Sequence, residues 1–168
     1  MSKSVTVIGL DPGSRFTGYG IIREESGNVE LVAAGVVKTP VKEDMPIRLG
    51  VIYSEIAKLI IMHKPEEAAV ENVFVAKNPA SALKLGQARG AAIAACAVAD
   101  LSVASYEPTK VKKNIVGVGR APKDQVAFMV AHSLGVKKPD WSEDTSDALA
   151  VALCHLNERR FKKLAGLK

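Results

Sequence analysis

An α/β fold, with a five-stranded mixed sheet flanked by helices, is predicted for this 168-residue chain. Short β-branched apolar runs alternate along the sequence with segments of helical periodicity. The first such run is apolar at nearly every position, as in a strand buried on both faces. Aromatic residues make up only 5% of the chain, leaving Val, Ile, Leu and Ala to fill the space between sheet and helices. The length is that of one domain, spanning 1–168 with a basic C-terminal tail from about residue 160.

The first strand covers 5–10 and ends at Asp11, where Pro12, Gly13 and Ser14 make a turn. Residues 17–23 form the second strand. Ser26, Gly27 and Asn28 supply hairpin chemistry before a third strand over 29–38, completing an antiparallel meander. A helix over 47–62 follows from the spacing of Ile47, Leu49, Val51, Ile52, Ile56, Leu59 and Ile60, with Pro65 just past its end. The short run 68–70 is a fourth buried strand entering Glu71.

Residues 81–99 are rich in Ala and Leu, good helix formers, and Gly86 and Gly90 allow another backbone to come close. A fifth strand covers 102–106. Pro108 opens a short helix carrying Lys110, Val111, Lys112 and Ile115, which ends at the loop 117–122. Another helix runs over 123–134 and is capped by Gly135. After the polar loop 136–141, the last helix (144–161) has an inward stripe of Ala148, Val151, Ala152, His155 and Leu156. Three strands, helix, strand, helix, strand and helices is an RNase H-like layout.

The net charge of +5 and pI near 9.2 favour a polyanionic partner without identifying it, because surface lysines also serve solubility. Cys96 and Cys154 sit among small apolar residues without metal-ligand spacing, so buried packing in a reducing compartment is expected. The longest apolar stretch, 90–99, is too short to span a bilayer, and the N-terminal run reads as a strand without a cleavage site. A soluble cytoplasmic protein with no membrane partner follows as the expectation. His63, His132 and His155 are dispersed and fit core or surface roles. The Gly117-Val118-Gly119 segment lacks both the Lys-Ser/Thr of a P-loop and the third glycine of a dinucleotide fingerprint.

The informative residues are acidic. Asp11 and Glu71 end buried strands, and parallel neighbouring strands would bring both to the sheet edge where ligand sites of open α/β sheets lie. Asp144 and Asp147, three apart, share a helical face with Cβ atoms about 5–6 Å apart. Together with Glu143 they equally suit the positive end of a helix dipole. Four gathered carboxylates are costly, since two charges 4 Å apart repel by about 4 kcal/mol at an effective dielectric near 20. Two Mg²⁺ ions would balance them, prefer such oxygen ligands, and provide a two-metal site for phosphoryl transfer.

With Asp11-Pro12-Gly13-Ser14-Arg15, Thr17-Gly18-Tyr19-Gly20, Val73 to Asn78, Ser81 to Gly90 and Asp144-Thr145-Ser146-Asp147-Ala148-Leu149-Ala150 in view, the chain closely resembles the RuvC family of Holliday junction resolvases over nearly its whole length. The four carboxylates fall on that family's metal positions. The resemblance implies a homodimer making paired symmetric cuts in four-way junction DNA, in recombination and repair. The products would carry 5′ phosphate and 3′ hydroxyl ends, with two Mg²⁺ ions per site and Mn²⁺ as a substitute. It also implies a branch-migration complex of the RuvA and RuvB type as partner.

By the same resemblance, Lys112 and Lys123 stand near the cleaved strand as catalytic cations. Phe74 stacks on bases opened at the crossover, with Lys77 close behind, and stacking is worth about 1–3 kcal/mol per base. Lys84, Arg89, Lys113 and Arg120 are expected phosphate contacts, and Arg159, Arg160, Lys162 and Lys163 a solvated tail. The glycine-bearing helix either forms the dimer surface or packs on its own sheet. Some members carry His near Asp144, and the loop 137–141 varies in length, which leaves metal preference open. Two alternatives stand beside this reading: another RNase H-like nuclease, and a junction-binding module without catalysis.

Overall fold

A computed structural model describes residues 4–72 and 78–166 of the chain. The strands are β1 (Val5–Asp11), β2 (Phe16–Glu25), β3 (Asn28–Lys38), β4 (Glu67–Glu71) and β5 (Ser102–Tyr106). The helices are α1 (Met45–His63), α2 (Pro79–Val98), α3 (Pro108–Val116), α4 (Lys123–Ser133) and α5 (Glu143–Leu164). The sheet order is β3-β2-β1-β4-β5, with the first three strands antiparallel and β1-β4 and β4-β5 parallel. The five-stranded mixed sheet is therefore as the sequence predicts.

Strand parity sorts the core into two layers, because successive side chains point to opposite faces. Ile8, Leu10, Ile21, Ala68 and Val70 pack with Ile52, Ile56 and Ile60 of α1 and Ala88, Ala92, Ala95 and Cys96 of α2. Val5, Val7, Ile22, Ala69 and Tyr106 pack on the other face against α5, backed by Val111 of α3 and Val126 and Val130 of α4. Asp11 has the parity of Val7, and Glu71 that of Ala69. Both therefore lie on the α5 face.

That face is floored with glycine. A Cβ on Gly9 would be driven into the carbonyl oxygen of Ala148 and would stand 2.7 Å from Ala152 Cβ. One on Gly18 would meet the backbone carbonyl of Asp144. Asp11 pairs across the ladder with Gly18, so the start of α5 lies directly over the end of β1. Lower down, His155 on α5 links Tyr106 Oη (2.8 Å) to Glu67 Oε2 (2.7 Å), and Arg159 Nε donates to Glu67 Oε1 at 3.0 Å. Burial works against ionising Glu67, but these bonds outweigh it and lower its pKa.

Several boundaries depart from the sequence reading for local reasons. α2 starts at Pro79, two residues early, because the Asn78 side chain accepts from the N–H groups of Ala80 and Ser81. Ile47, assigned to the inward stripe of α1, is 52% exposed. It lies five residues from Ile52, and at about 100° per residue that is roughly 140° around the helix. Arg159 and Arg160 are not solvated tail. They belong to α5, paired with Glu67 and Glu24. Gly86 and Gly90 do not pack on the chain's own sheet, since both are exposed with nothing within 4 Å of an added Cβ. Among the described residues no helix is long and apolar enough to cross a membrane.

The two kinds of glycine predict opposite outcomes. Gly9→Ala should cost about 3 kcal/mol, the upper end for overpacking, because the obstacle is backbone. Gly86→Ala should stabilise the dilute chain by about 0.5–1 kcal/mol through helix propensity. Urea denaturation of each variant checks both signs.

Candidate active site

The site begins where two parallel strands end. The β1-β4 register pairs Leu10 with Val70, so Asp11 and Glu71 emerge side by side. Their carboxyl groups lie within hydrogen-bonding reach of each other. The β1-β2 turn beneath them is held in place: Thr17 is buried and bonds both Gly13 N (3.3 Å) and Gly13 O (3.1 Å). Arg48 on α1 donates to the Ser14 carbonyl and, through Nε, to Thr39 Oγ1 at 3.3 Å.

The other two carboxylates come from the first turns of α5. Ser142 caps that helix, its Oγ accepting from Thr145 N at 3.3 Å. A serine just before an acidic first turn is a readable helix-start signal, which the sequence reading passed over. With the helix start fixed and pressed onto Gly18, Asp144 and Asp147 are delivered to Asp11. All four carboxylates are partly buried.

The charges describe an incomplete assembly. Burial, then the charges of Glu71 and Asp147, push the Asp11 pKa from 3.8 to about 9. Glu71 and Asp147 are also raised, chiefly by burial, with Lys123 and Lys112 pulling both the other way. Lys112 and Lys123 thus sit close enough to act on the cluster, but two ammonium groups do not neutralise four acids. Lys123 Nζ bonds Glu143, and this bond and Asp147 together raise its pKa against desolvation. The Glu143 partner was not foreseen, because nothing in the sequence brings residues 123 and 143 together.

The donor set is entirely carboxylate oxygen, as hard divalent cations prefer. Among the described residues no three His, Cys, Asp or Glu side chains stand together closely enough to hold a metal ion as they are placed. Glu71 acts on the Asp11 carboxyl most strongly, with Asp147 and then Asp144 adding weaker repulsion. In donor chemistry the set would suit divalent cations, whose charge would offset the repulsion among the carboxylates.

Of the expected DNA contacts, Lys84, Lys113 and Arg120 are exposed and form no ion pair with a described residue. Arg89 is partly buried, its donors directed at Glu71, Asn72 and Ser105. Phe74 and Lys77 lie outside the described residues.

Comparison with known proteins gives a consistent result. Residues 7–155 match the family model described as crossover junction endodeoxyribonuclease RuvC. A curated relative of that name from Solidesulfovibrio magneticus is 61% identical over 162 residues, covering 96% of this chain and 95% of the relative. One from Oleidesulfovibrio alaskensis is 61% identical over 164 residues, covering 98% of each. The structure of Thermus thermophilus RuvC in complex with a Holliday junction substrate superposes with TM-score 0.88 at 34% identity, over 94% of this chain and 96% of that one. A yeast mitochondrial Holliday junction resolvase shares the fold at TM-score 0.67 and 11% identity, over 95% of this chain and 84% of that one.

The Asp11 shift makes metal-free stability pH-dependent. The unfolded carboxyl loses its proton near 3.8 and the folded one near 9, so in that window only the folded state holds the proton and stability falls as pH rises. Without divalent ions, the midpoint of thermal unfolding should drop between about pH 4 and pH 9. Asp11→Asn should flatten the drop, and added Mg²⁺ should reverse it only in the unsubstituted protein. Thermal melts across pH, with and without metal, provide the check.

Proposed function

This chain belongs to the RuvC family of crossover junction endodeoxyribonucleases, and from that premise we propose that Asp11, Glu71, Asp144 and Asp147 hold two Mg²⁺ ions at which a junction strand is hydrolysed. The protein is a metal-dependent endonuclease that resolves Holliday junctions in recombination and repair. The observation that carries the site assignment is the convergence of four partly buried carboxylates, from the adjacent ends of β1 and β4 and the first turns of α5, on one face of the sheet.

Divalent ions held by Asp11, Glu71, Asp144 and Asp147 would supply the positive charge that such a hydrolysis needs at the attacking water and the departing 3′ oxygen, in keeping with 5′ phosphate and 3′ hydroxyl ends. The chain's own contribution is positional. Asp11 and Glu71 are fixed to adjacent strand ends, and Asp144 and Asp147 to a capped helix. Asp11 must release its proton as metal enters, so ion affinity rises with pH. Lys123 and Lys112 flank the cluster on the α4 and α3 side, where their ammonium groups can receive a phosphate and stabilise its developing charge. Mn²⁺, with the same preference for oxygen, substitutes for Mg²⁺ in this reading.

A twofold dimer suits a junction whose symmetry calls for two matching cuts. Support comes from the outer face of α2, where Gly86 and Gly90 are open and Leu83 and Val98 are 65% and 72% exposed. The exposed Lys84, Lys113 and Arg120 suit phosphate contact, and a branch-migration complex of the RuvA and RuvB type is the natural supplier of junctions. Free, buried Cys96 and Cys154, with thiol pKa values pushed up to about 12 by burial, support a reducing cytoplasmic setting.

Glu71→Gln and Asp144→Asn should each lower Mg²⁺-dependent cutting of a synthetic four-way junction by about a hundredfold or more, the scale of losing a preorganised electrostatic contact. Junction binding should persist. Gel mapping of nicks on labelled junction and linear duplex tests this; undiminished cleavage by either variant would refute the metal assignment, and equal cutting of duplex would refute junction selectivity.

A further inference from the structure

Glu71 has an awkward structural position. It is the last residue of β4, one step beyond the final β1-β4 pair, Leu10 with Val70, and only β5 continues alongside it. The ladder to β1 therefore ends just before the residue whose carboxyl must meet Asp11. Arg89 of α2 stands at this gap. Its Nε donates to the Glu71 carbonyl oxygen at 3.1 Å, and its Nη2 donates to Asn72 Oδ1 and Ser105 Oγ, each at 2.7 Å. Asn72 is itself tied down, its N–H donating to the Tyr106 carbonyl at 2.9 Å and its side-chain amide to Glu107 Oε1 at 2.6 Å.

We propose that Arg89 is a positioning residue for junction cleavage, fixing the Glu71 backbone so that its carboxyl is presented to Asp11, rather than a phosphate contact. The planar guanidinium fork reaches the ends of β4 and β5 and the residue after Glu71 together. A lysine at the same position presents a single compact ammonium and does not reproduce that geometry. Groups that orient metal-holding side chains from behind commonly change activity by about 10–100-fold when removed. The proposal rests on the metal-site reading of Glu71.

The test uses the full chain, a labelled four-way junction, and the variants Arg89→Ala, Arg89→Lys and Ser105→Ala. Three quantities are measured: the single-turnover rate at saturating junction with Mg²⁺, the junction Kd and its salt dependence with Ca²⁺ in place of Mg²⁺, and amide exchange at Asn72. Arg89→Ala is expected to slow saturated cleavage at least tenfold, with Kd within twofold and the salt slope unchanged, while the Asn72 amide exchanges faster. Arg89→Lys should recover little. Ser105→Ala, which removes one exposed bond and leaves the fold intact, should show a smaller loss of the same kind and decides the matter should Arg89→Ala fold poorly.

Two results would overturn the proposal: undiminished saturated cleavage with weaker binding and a salt slope reduced by about 1, the signature of a phosphate contact, or rates and Kd both unaffected. Cleavage by the unsubstituted protein separates the two claims. Its absence would defeat the metal-site reading itself, and with it the proposal.

Discussion

Everything at the site depends on how closely α5 approaches the sheet. Its backbone carbonyls at Asp144 and Ala148 rest where side chains on Gly18 and Gly9 would otherwise stand. A helix normally packs about 10 Å from a sheet through interdigitated side chains. Here the floor of β1 and β2 is cleared, and the first turns of α5 settle onto the end of β1. The remaining geometry follows from strand parity and register: Asp11 and Glu71 are neighbours because β1 and β4 run parallel, and they face the helix because each sits an even number of residues from a core position on that side.

The cost of this arrangement is electrostatic. Burying acids together destabilises the metal-free chain, and the two lysines on the far side offset only part of that charge. The fold compensates elsewhere. Ion pairs of Arg159 and Arg160 and the Tyr106-His155-Glu67 chain fasten the rest of α5 to the sheet, while two apolar layers grip the sheet from both faces. Strain held at one end of the helix is thus balanced by satisfied polar contacts at the other, as expected where function and stability compete.

Much of this was legible in the sequence, and the limits have physical causes. Element order and type followed from apolar periodicity, which depends on local residues alone. Strand-end acids and an Asp-x-x-Asp helix start were visible in the same way, but their proposed role came from the family resemblance, since the helix pair equally suits a helix dipole. Long-range side-chain partners were not legible. Residues 123 and 143, or 89 and 105, meet only after the chain has folded, so the Lys123-Glu143 pair could not be foreseen, nor could the use of Arg89 within the protein. The glycines of β1 and β2 were visible as letters, but their role required knowing which helix lies above them. Ile47 shows the reverse error: an apolar residue near a periodic stripe was counted into it although its angle around the helix points elsewhere.

The late position of α5 has a consequence for the timing of synthesis. Two of the four carboxylates lie on the last helix, more than 130 residues after Asp11, and chains emerge from the ribosome at about 5–20 residues per second. For several seconds a growing chain therefore carries Asp11 and Glu71 without Asp144 and Asp147. A fragment abandoned before α5 has half a site. On the proposed metal assignment, cutting activity would therefore await synthesis of nearly the whole chain.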